Sequence, residues 1–518
     1  MSRRMLVNIK NVSISFQDNL LFKDLSFSVH KGELLAIIGA NGCGKSTILN
    51  LLHSHVTDDR SRFEGVDISF AGSILFPPGT DLIHLPQLLR TGEGAQFSVD
   101  GLSPDKAALE KKLSGEFAVR ARTDSDSVLS DGELQKRAII RTLLEDRDLY
   151  LLDEPTNYLD IAGITAFEAY VHQLKRRGKG VILVTHDRTL TDNLADRTIL
   201  ITKSSIYHTI GGATDAWSIK IADFESRSKR AKDIKKKIRQ MQDDARAKAG
   251  WAAQKEKQII GSKKEKGHIS RLSAKMAKRS KVVEQRAEKE IEKLKQTKPF
   301  VPLEIRLHYP EYRIRNREAF SLKDVCFRYE DSSDRRRKYL LRDITLSATT
   351  REKTCLMGTN GSGKSTIIKL ARENLVPMKG TCRVNRGVKT AYVPQGLSGF
   401  FRRKVLLDNF SDCGCDQTTI RKYLGAVLIR KGKPLDPIDR FSYGELMRAA
   451  IVKCILMRAE FLFLDEPTSH LDIESIEVLE QLLQNFAGGF LLISHDRSFV
   501  GNVAEKLYAL DRGRLILM

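Results

Sequence analysis

The sequence predicts an α/β protein in which one phosphate-binding domain occurs twice, with a basic α-helical hairpin between the copies. Three motifs recur in the same order and at nearly the same spacing. Each copy has a glycine-rich loop directly behind an apolar strand. The stretch between the copies is proline-free, strongly basic and helically periodic. A length of 518 residues fits several domains. The net charge of +22, from 87 Lys+Arg against 65 Asp+Glu, favours an anionic partner, nucleic acid or an acidic membrane surface. A hydrophobic share of 41% supports ordinary cores and argues against wholesale disorder. No apolar run approaches the roughly 20 residues of a membrane helix. The Met1-Ser-Arg-Arg start lacks the apolar segment of a secretory signal. Seven scattered cysteines read as reduced, cytosolic thiols, and Cys413-Gly-Cys415 as loop cysteines without a second ligand pair.

In the first copy, Leu34–Ile38 reads as a buried strand running into GANGCGKS, residues 39–46. The glycines let backbone N–H groups close around phosphate oxygens, and the following helix N-terminus favours negative charge. Gly39, Asn41, Gly42, Gly44, Lys45, Ser46 and Thr47 are the expected phosphate-loop contacts. Lys45 reaches the β- and γ-phosphates, and Ser46 serves Mg²⁺. Gly358, Asn360, Gly361, Gly363, Lys364, Ser365 and Thr366 repeat the set in GTNGSGKS, residues 358–365 and onward. Next, LYLLDEPTNYLD at 149–160 recurs as FLFLDEPTSHLD at 461–472. Each is a strand ending in two carboxylates: Asp153 and Asp465 suit Mg²⁺, and Glu154 and Glu466 can polarise the attacking water. VTHDR at 184–188 recurs as ISHDR at 493–497. Ser130-Asp-Gly-Glu133 and Ser442-Tyr-Gly-Glu445 each read alone as a helix capping box. Both serines, however, stand 23 residues before the acidic pair.

Between the copies, Lys220–Lys298 holds 26 Lys+Arg and 11 Asp+Glu, a net of +15 in 79 residues, leaving +7 for the rest of the chain. Apolar residues recur at steps of three, four and seven from 234 to 252 and again from 269 to 294. Gly261–Gly267 separates the runs as a turn, so the segment reads as an antiparallel helical hairpin with a basic tip at Lys263, Lys264 and Lys266. Runs of this length span roughly 45–65 Å at 1.5 Å per residue. Pro299 and Pro302 end the second helix. The expected domains are 1–215, 216–299 and 300–518.

The ordered motifs resemble those of ATP-binding-cassette ATPases, with two P-loop NTPase (ABC-type) cassettes on one chain. Ser130–Glu133 and Ser442–Glu445 match the family signature. Gln87 and Gln395, each after a proline, match its Mg²⁺-contacting glutamine loops. His186 and His495 match its switch histidines, and Phe16 and Tyr329 stand where the family stacks an aromatic on adenine. The resemblance implies ATP and Mg²⁺ as cofactors, ATP hydrolysis as the activity, and two head-to-tail sites. Site one would use Lys45, Gln87, Asp153, Glu154 and His186 with Ser442 and Gly444. Site two would use Lys364, Gln395, Asp465, Glu466 and His495 with Ser130 and Gly132. Asp131 and Tyr443 depart from the family's usual glycine. Asp131 either brings a carboxylate near the γ-phosphate of site two, where like charges repel, or turns away to help cap its helix. The first alternative makes site two the slower.

Twin cassettes without membrane spans, joined by a charged hairpin, resemble the ABC-F family. The resemblance implies a ribosomal partner, with the hairpin tip meeting rRNA and peptidyl-site tRNA, no membrane contact, and a monomer whose cassettes close on each other. Lys and Arg neutralising RNA phosphates release counterions, which favours binding. The first copy shows no inserted arm, with 43 residues between Gln87 and Ser130 against 47 between Gln395 and Ser442. Few residues follow His495. With the unorthodox signatures, this build is most similar to the antibiotic-resistance branch, which protects ribosomes from peptidyl-transferase inhibitors. A general translation factor acting on stalled ribosomes, or an ATP-gated nucleic-acid-binding module away from the ribosome, are the alternatives.

Overall fold

The computed structural model describes residues 4–16, 19–57, 68–87, 104–117, 119, 131–157, 159–202, 205–260, 314–329, 339–397, 399–430, 432–469 and 471–518. Each copy is built on a six-stranded sheet. In the first, the spatial order is Leu82–Leu85, Leu149–Asp153, Gly180–Val184, Leu34–Gly39, Arg197–Ile201, Ile206–Ile210. Five strands run parallel and the last antiparallel. The second copy repeats the order with Thr390–Val393, Phe461–Asp465, Gly489–Ile493, Lys353–Gly358, Lys506–Asp511 and Arg514–Leu517. A three-stranded antiparallel sheet accompanies each: Asn19–His30, Met5–Phe16 and Ile68–Leu75 in the first, Leu341–Thr349, Glu318–Phe327 and Lys379–Val384 in the second.

The sequence dictates this layering through unbroken apolar strands, which must be covered on both faces. Every residue of Leu34–Gly39 is buried. Leu35 and Ile37 pack with the antiparallel sheet, whereas Leu34 and Ala36 pack with helices. In the second copy Cys355 and Met357 face helices and Leu356 faces the antiparallel sheet. A fully buried side chain of this size contributes about 1.5–3 kcal/mol, so alternate residues of one strand anchor two layers.

By its contacts the chain divides into two units, Met1–Ala216 with Ile305–Met518, and Trp217–Glu304. The helix Ala213–Ile260 runs 48 residues, about 72 Å at 1.5 Å per residue. The expected turn, its Lys263, Lys264 and Lys266, and the expected second helix lie outside the described residues. Among the described residues no helix is long and apolar enough to cross a membrane. All seven cysteines are free. Cys415 Sγ lies 3.5 Å from the Cys413 carbonyl oxygen. No cluster of three or more His, Cys, Asp or Glu able to hold a metal occurs among the described residues.

Candidate functional site

Each phosphate loop joins the central strand to a helix that begins at its lysine, Lys45–Thr57 or Lys364–Ala371. Gly42 and Gly361 take left-handed φ of 76° and 74°, which suits residues without Cβ. Gly44 and Gly363 lie against neighbours: an added Cβ would come 3.0 Å from Phe22 or 2.9 Å from Leu341. The lysines span their loops. Lys45 Nζ donates to the carbonyls of Gly39 (2.9 Å) and Ala40 (3.0 Å), and Lys364 Nζ to those of Gly358 (2.8 Å) and Thr359 (2.9 Å).

In the first copy one cavity of about 580 Å³ is lined by Asn41, Gly42, Gly44, Lys45, Ser46, Thr47, Gln87, Asp153, Glu154 and His186. A cavity of about 1080 Å³ spans both copies: it gathers Asn360, Gly361, Gly363, Lys364, Ser365, Thr366, Gln395, Asp465, Glu466, His495 and Tyr329 of the second with Asn41, Gln87, Glu154 and His186 of the first. Ser365 Oγ donates to Asp465 Oδ1 at 3.2 Å. Hydroxyl, carboxylate and amide oxygens together fit Mg²⁺, a hard cation that takes oxygen ligands. When bound, the ion would supply positive charge to offset that of the phosphates. Tyr329 stacks edge-to-face on Phe327, with centroids 4.9 Å apart, and its hydroxyl lies 3.1 Å from Thr366 Oγ1. Its ring therefore stands beside the phosphate loop. Phe16 ends its strand, but its side chain lies outside the described residues.

The second carboxylate of each acidic pair is aimed by strain. Glu154 and Glu466 hold φ of 48° and 50°, a left-handed conformation that costs of order 1–3 kcal/mol at a non-glycine residue. The Glu154 N–H donates to the Val184 carbonyl and the Glu466 N–H to the Ile493 carbonyl, both at 2.9 Å, which fixes the turn. Each carboxylate then meets its histidine: Nε2 to Oε1 is 3.2 Å for His186–Glu154 and for His495–Glu466. The His186 N–H also donates to Glu154 Oε2 at 3.3 Å. Burial, with Asp153 alongside, pushes Glu154 up to about 8 against the pull of Lys45. Burial pushes Glu466 up to about 7, with Lys364 opposing and Asp465 reinforcing. Burial and the adjacent lysines push His186 down to about 3 and His495 down to about 4. The histidines are thus neutral at pH 7, so neither contact is an ion pair.

Residues 22–157 and 341–469 match the ABC transporter family. The chain belongs to that family. Ribosome protection protein VmlR of Bacillus subtilis is 28% identical, over 96% of this chain and 85% of its own. ATP-binding cassette sub-family F member 3 of Mus musculus is 28% identical, over 98% of this chain and 71% of its own. Among solved structures, the crystal structure of the complex of archaeal ribosomal stalk protein and archaeal ribosome recycling factor superposes with TM-score 0.57 at 19% identity. It covers 94% of this chain and 86% of that one, and shows the shared fold. The protein is accordingly an ATP hydrolase built on two ABC cassettes.

The cassettes meet at their nucleotide sites. The larger cavity includes Glu133 and Lys136 from the signature helix Asp131–Leu144 of cassette 1, facing Lys364 of cassette 2. Asp131 and Gly132 open that helix, while Ser130 lies outside the described residues. In cassette 2, Ser442 forms the capping box expected of it: its Oγ accepts the Glu445 N–H (3.3 Å), and Glu445 Oε2 accepts the Ser442 N–H (3.0 Å). Gly444 is packed so that a Cβ would meet Ser475 Oγ at 2.5 Å. Neither Ser442 nor Gly444 lines either cavity.

Sequence reasoning missed Asp160 and Asp472. Each caps its own helix with one oxygen, accepting the N–H of Gly163 (3.0 Å) or Ser475 (2.8 Å). The other oxygen crosses to the opposing phosphate loop. Asp472 Oδ2 accepts the Asn41 N–H at 3.0 Å, and Asp160 Oδ2 the Asn360 N–H at 3.4 Å. The signal was present, because Leu-Asp closes the acidic motif in both copies.

Proposed function

We propose that this chain is an ABC-F ATPase acting on the ribosome in the cytoplasm. Its basic linker approaches peptidyl-site tRNA and rRNA, and the protein protects the ribosome from peptidyl-transferase inhibitors. The observation that carries the reading is the placement of charge. A net +15 of the chain's +22 lies in Lys220–Lys298, between two ATP-hydrolysing cassettes. A compact basic element joined in sequence to two nucleotide-driven cassettes suits insertion against structured RNA better than a broad basic surface does. That the relative VmlR is a ribosome protection protein supports the finer role.

In this reading the domains are 1–215, 216–299 and 300–518, and the protein acts as a monomer. Lys45 and Lys364 hold β- and γ-phosphates. Ser46 with Asp153 and Gln87, and Ser365 with Asp465 and Gln395, hold Mg²⁺. Glu154 and Glu466 take the proton of the attacking water, and His186 and His495 orient the γ-phosphate. Phe16 and Tyr329 carry the adenines. Ser442 and Gly444 complete site one on closure, and Ser130 and Gly132 complete site two. Lys263, Lys264 and Lys266 contact RNA.

The test is growth of a susceptible bacterium expressing the chain, against a panel of peptidyl-transferase inhibitors. Raised resistance to at least one is expected. The variant with Glu154→Gln and Glu466→Gln should cosediment with ribosomes in ATP, and loss of that cosedimentation sinks the ribosomal reading. Ribosome binding without protection from any inhibitor leaves the general translation-factor role. If removal of residues 261–267 leaves both binding and protection intact, the linker has been misassigned.

A further inference from the structure

Each cassette braces the other's nucleotide site with one helix, and the brace has a second point of contact. The helix Ile473–Gln484 starts at Asp472, which holds the Asn41 N–H of the opposing phosphate loop. Eight residues on, Glu480 pairs with Arg188 at 3.3 Å. Arg188 stands two residues after His186 and opens the helix Arg188–Leu194. At 1.5 Å per residue the two contacts are about 12 Å apart along the brace. One rigid element of cassette 2 therefore spans the phosphate loop and the histidine segment of cassette 1.

The duplication repeats the device in reverse. The helix Ile161–Arg176 starts at Asp160, which holds the Asn360 N–H. Eight residues on, Glu168 pairs with Arg497 at 3.5 Å, and Thr165 Oγ1 accepts a second Arg497 N–H at 3.2 Å. Each glutamate is steadied from within its own cassette. Asn502 Nδ2 donates to Glu480 Oε1 (3.2 Å) and Asn193 Nδ2 to Glu168 Oε1 (3.4 Å). Both pairs are largely shielded from water. Removing one member of a shielded pair leaves an uncompensated charge, so such pairs hold geometry tightly.

We propose that Arg188–Glu480 and Arg497–Glu168 are positioning pairs. Neither pair lines a nucleotide cavity. Each fixes the distance from phosphate loop to switch histidine in one site by means of the opposing cassette, so hydrolysis in each site depends on its partner being in place.

The full chain tests this one site at a time, with Glu466→Gln reporting site one and Glu154→Gln reporting site two. In the first background, Arg188→Glu or Glu480→Arg should lower kcat on the order of tenfold or more, as small misplacements of reacting groups do, with ATP KM within about twofold. Arg188→Gln should give the same pattern, more weakly. Combining Arg188→Glu with Glu480→Arg should restore most of the rate. In the second background Arg188→Glu should lower kcat clearly less than in the first, the smaller loss reflecting the charge of Asp496, beside His495, which Arg188 also meets. The proposal is overturned by an unchanged kcat in the first background. It is equally overturned by comparable losses at both sites, which mark general loss of closure or of fold, or by a charge swap that recovers nothing.

Discussion

The two cassettes share a backbone plan but tie signature helix to glutamine loop by different atoms. In cassette 1 the buried Gln135, fifth after Ser130, donates through Nε2 to the Pro86 carbonyl at 3.0 Å, beside Gln87. The corresponding residue of cassette 2 is Met447, fully buried and apolar. There the tie comes from Tyr443, whose hydroxyl oxygen accepts the Gly396 N–H at 3.2 Å, beside Gln395. Tyr443 is a departure from the usual family glycine, and its counterpart is Asp131. One connection has therefore been kept while its donor and acceptor changed places between side chain and backbone. Duplication conserves the task more strictly than the residue.

The sharpest way to compare the cassettes is to silence each. Glu154→Gln together with Glu466→Gln should lower steady-state ATPase by roughly 10²–10⁴-fold, the usual worth of a positioned general base. Either substitution alone should leave the opposite site turning over. If Asp131 faces the γ-phosphate, Glu466→Gln, which leaves site one, retains the greater rate. Equal residual rates break that asymmetry.

Smaller effects distinguish the two ties. Gln135→Leu leaves the Pro86 carbonyl without its partner and should cost about 1–3 kcal/mol, read by chemical denaturation. Tyr443→Phe removes the hydroxyl that accepts the Gly396 N–H and should cost about 0.5–1.5 kcal/mol. If Tyr443→Phe proves the more damaging, the ties are not equivalent in the way their geometry suggests.

The pH dependence should show the same burial at both sites. Burial holds Glu154 near 8 and Glu466 near 7. A base must be deprotonated to act, so kcat/KM should rise with pH. At site one, measured with Glu466→Gln, and at site two, measured with Glu154→Gln, its limb should lie well above the ordinary carboxylate range. A limb near 4.5 at either site would refute the raised value there. Stability runs the other way for these carboxyls. A raised folded-state value contributes stability below the ordinary value of 4.5, and that contribution is lost as pH rises through about 7 to 8. The depressed histidines contribute above 6.5 and lose it as pH falls toward 4 and 3.

What could be read from the sequence was local. The phosphate loops, the acidic strand ends and the histidines are contiguous words, and duplication made each one visible twice. The repeated sheet order follows from the same duplication and from unbroken apolar strands such as Leu34–Ile38. What could not be read was relational. Nothing near Asp160 points to Asn360, 200 residues away, and nothing in His-Asp-Arg pairs Arg188 with Glu480. Those partners exist only once two sheets have folded and met. The left-handed backbone of Glu154 was equally hidden, because glutamate has no preference for it and the fold imposes it.

That imposed conformation has a consequence for the protein's history. At Glu154 a glutamate occupies a turn that glycine would fill without strain, and it is buried where its charge is disfavoured. Glu154→Gly should raise the melting temperature of cassette 1 while abolishing turnover there, and a lowered melting temperature would contradict this. Selection for robustness alone would discard the carboxylate. Its presence in both cassettes records that turnover, not durability, has decided these two positions.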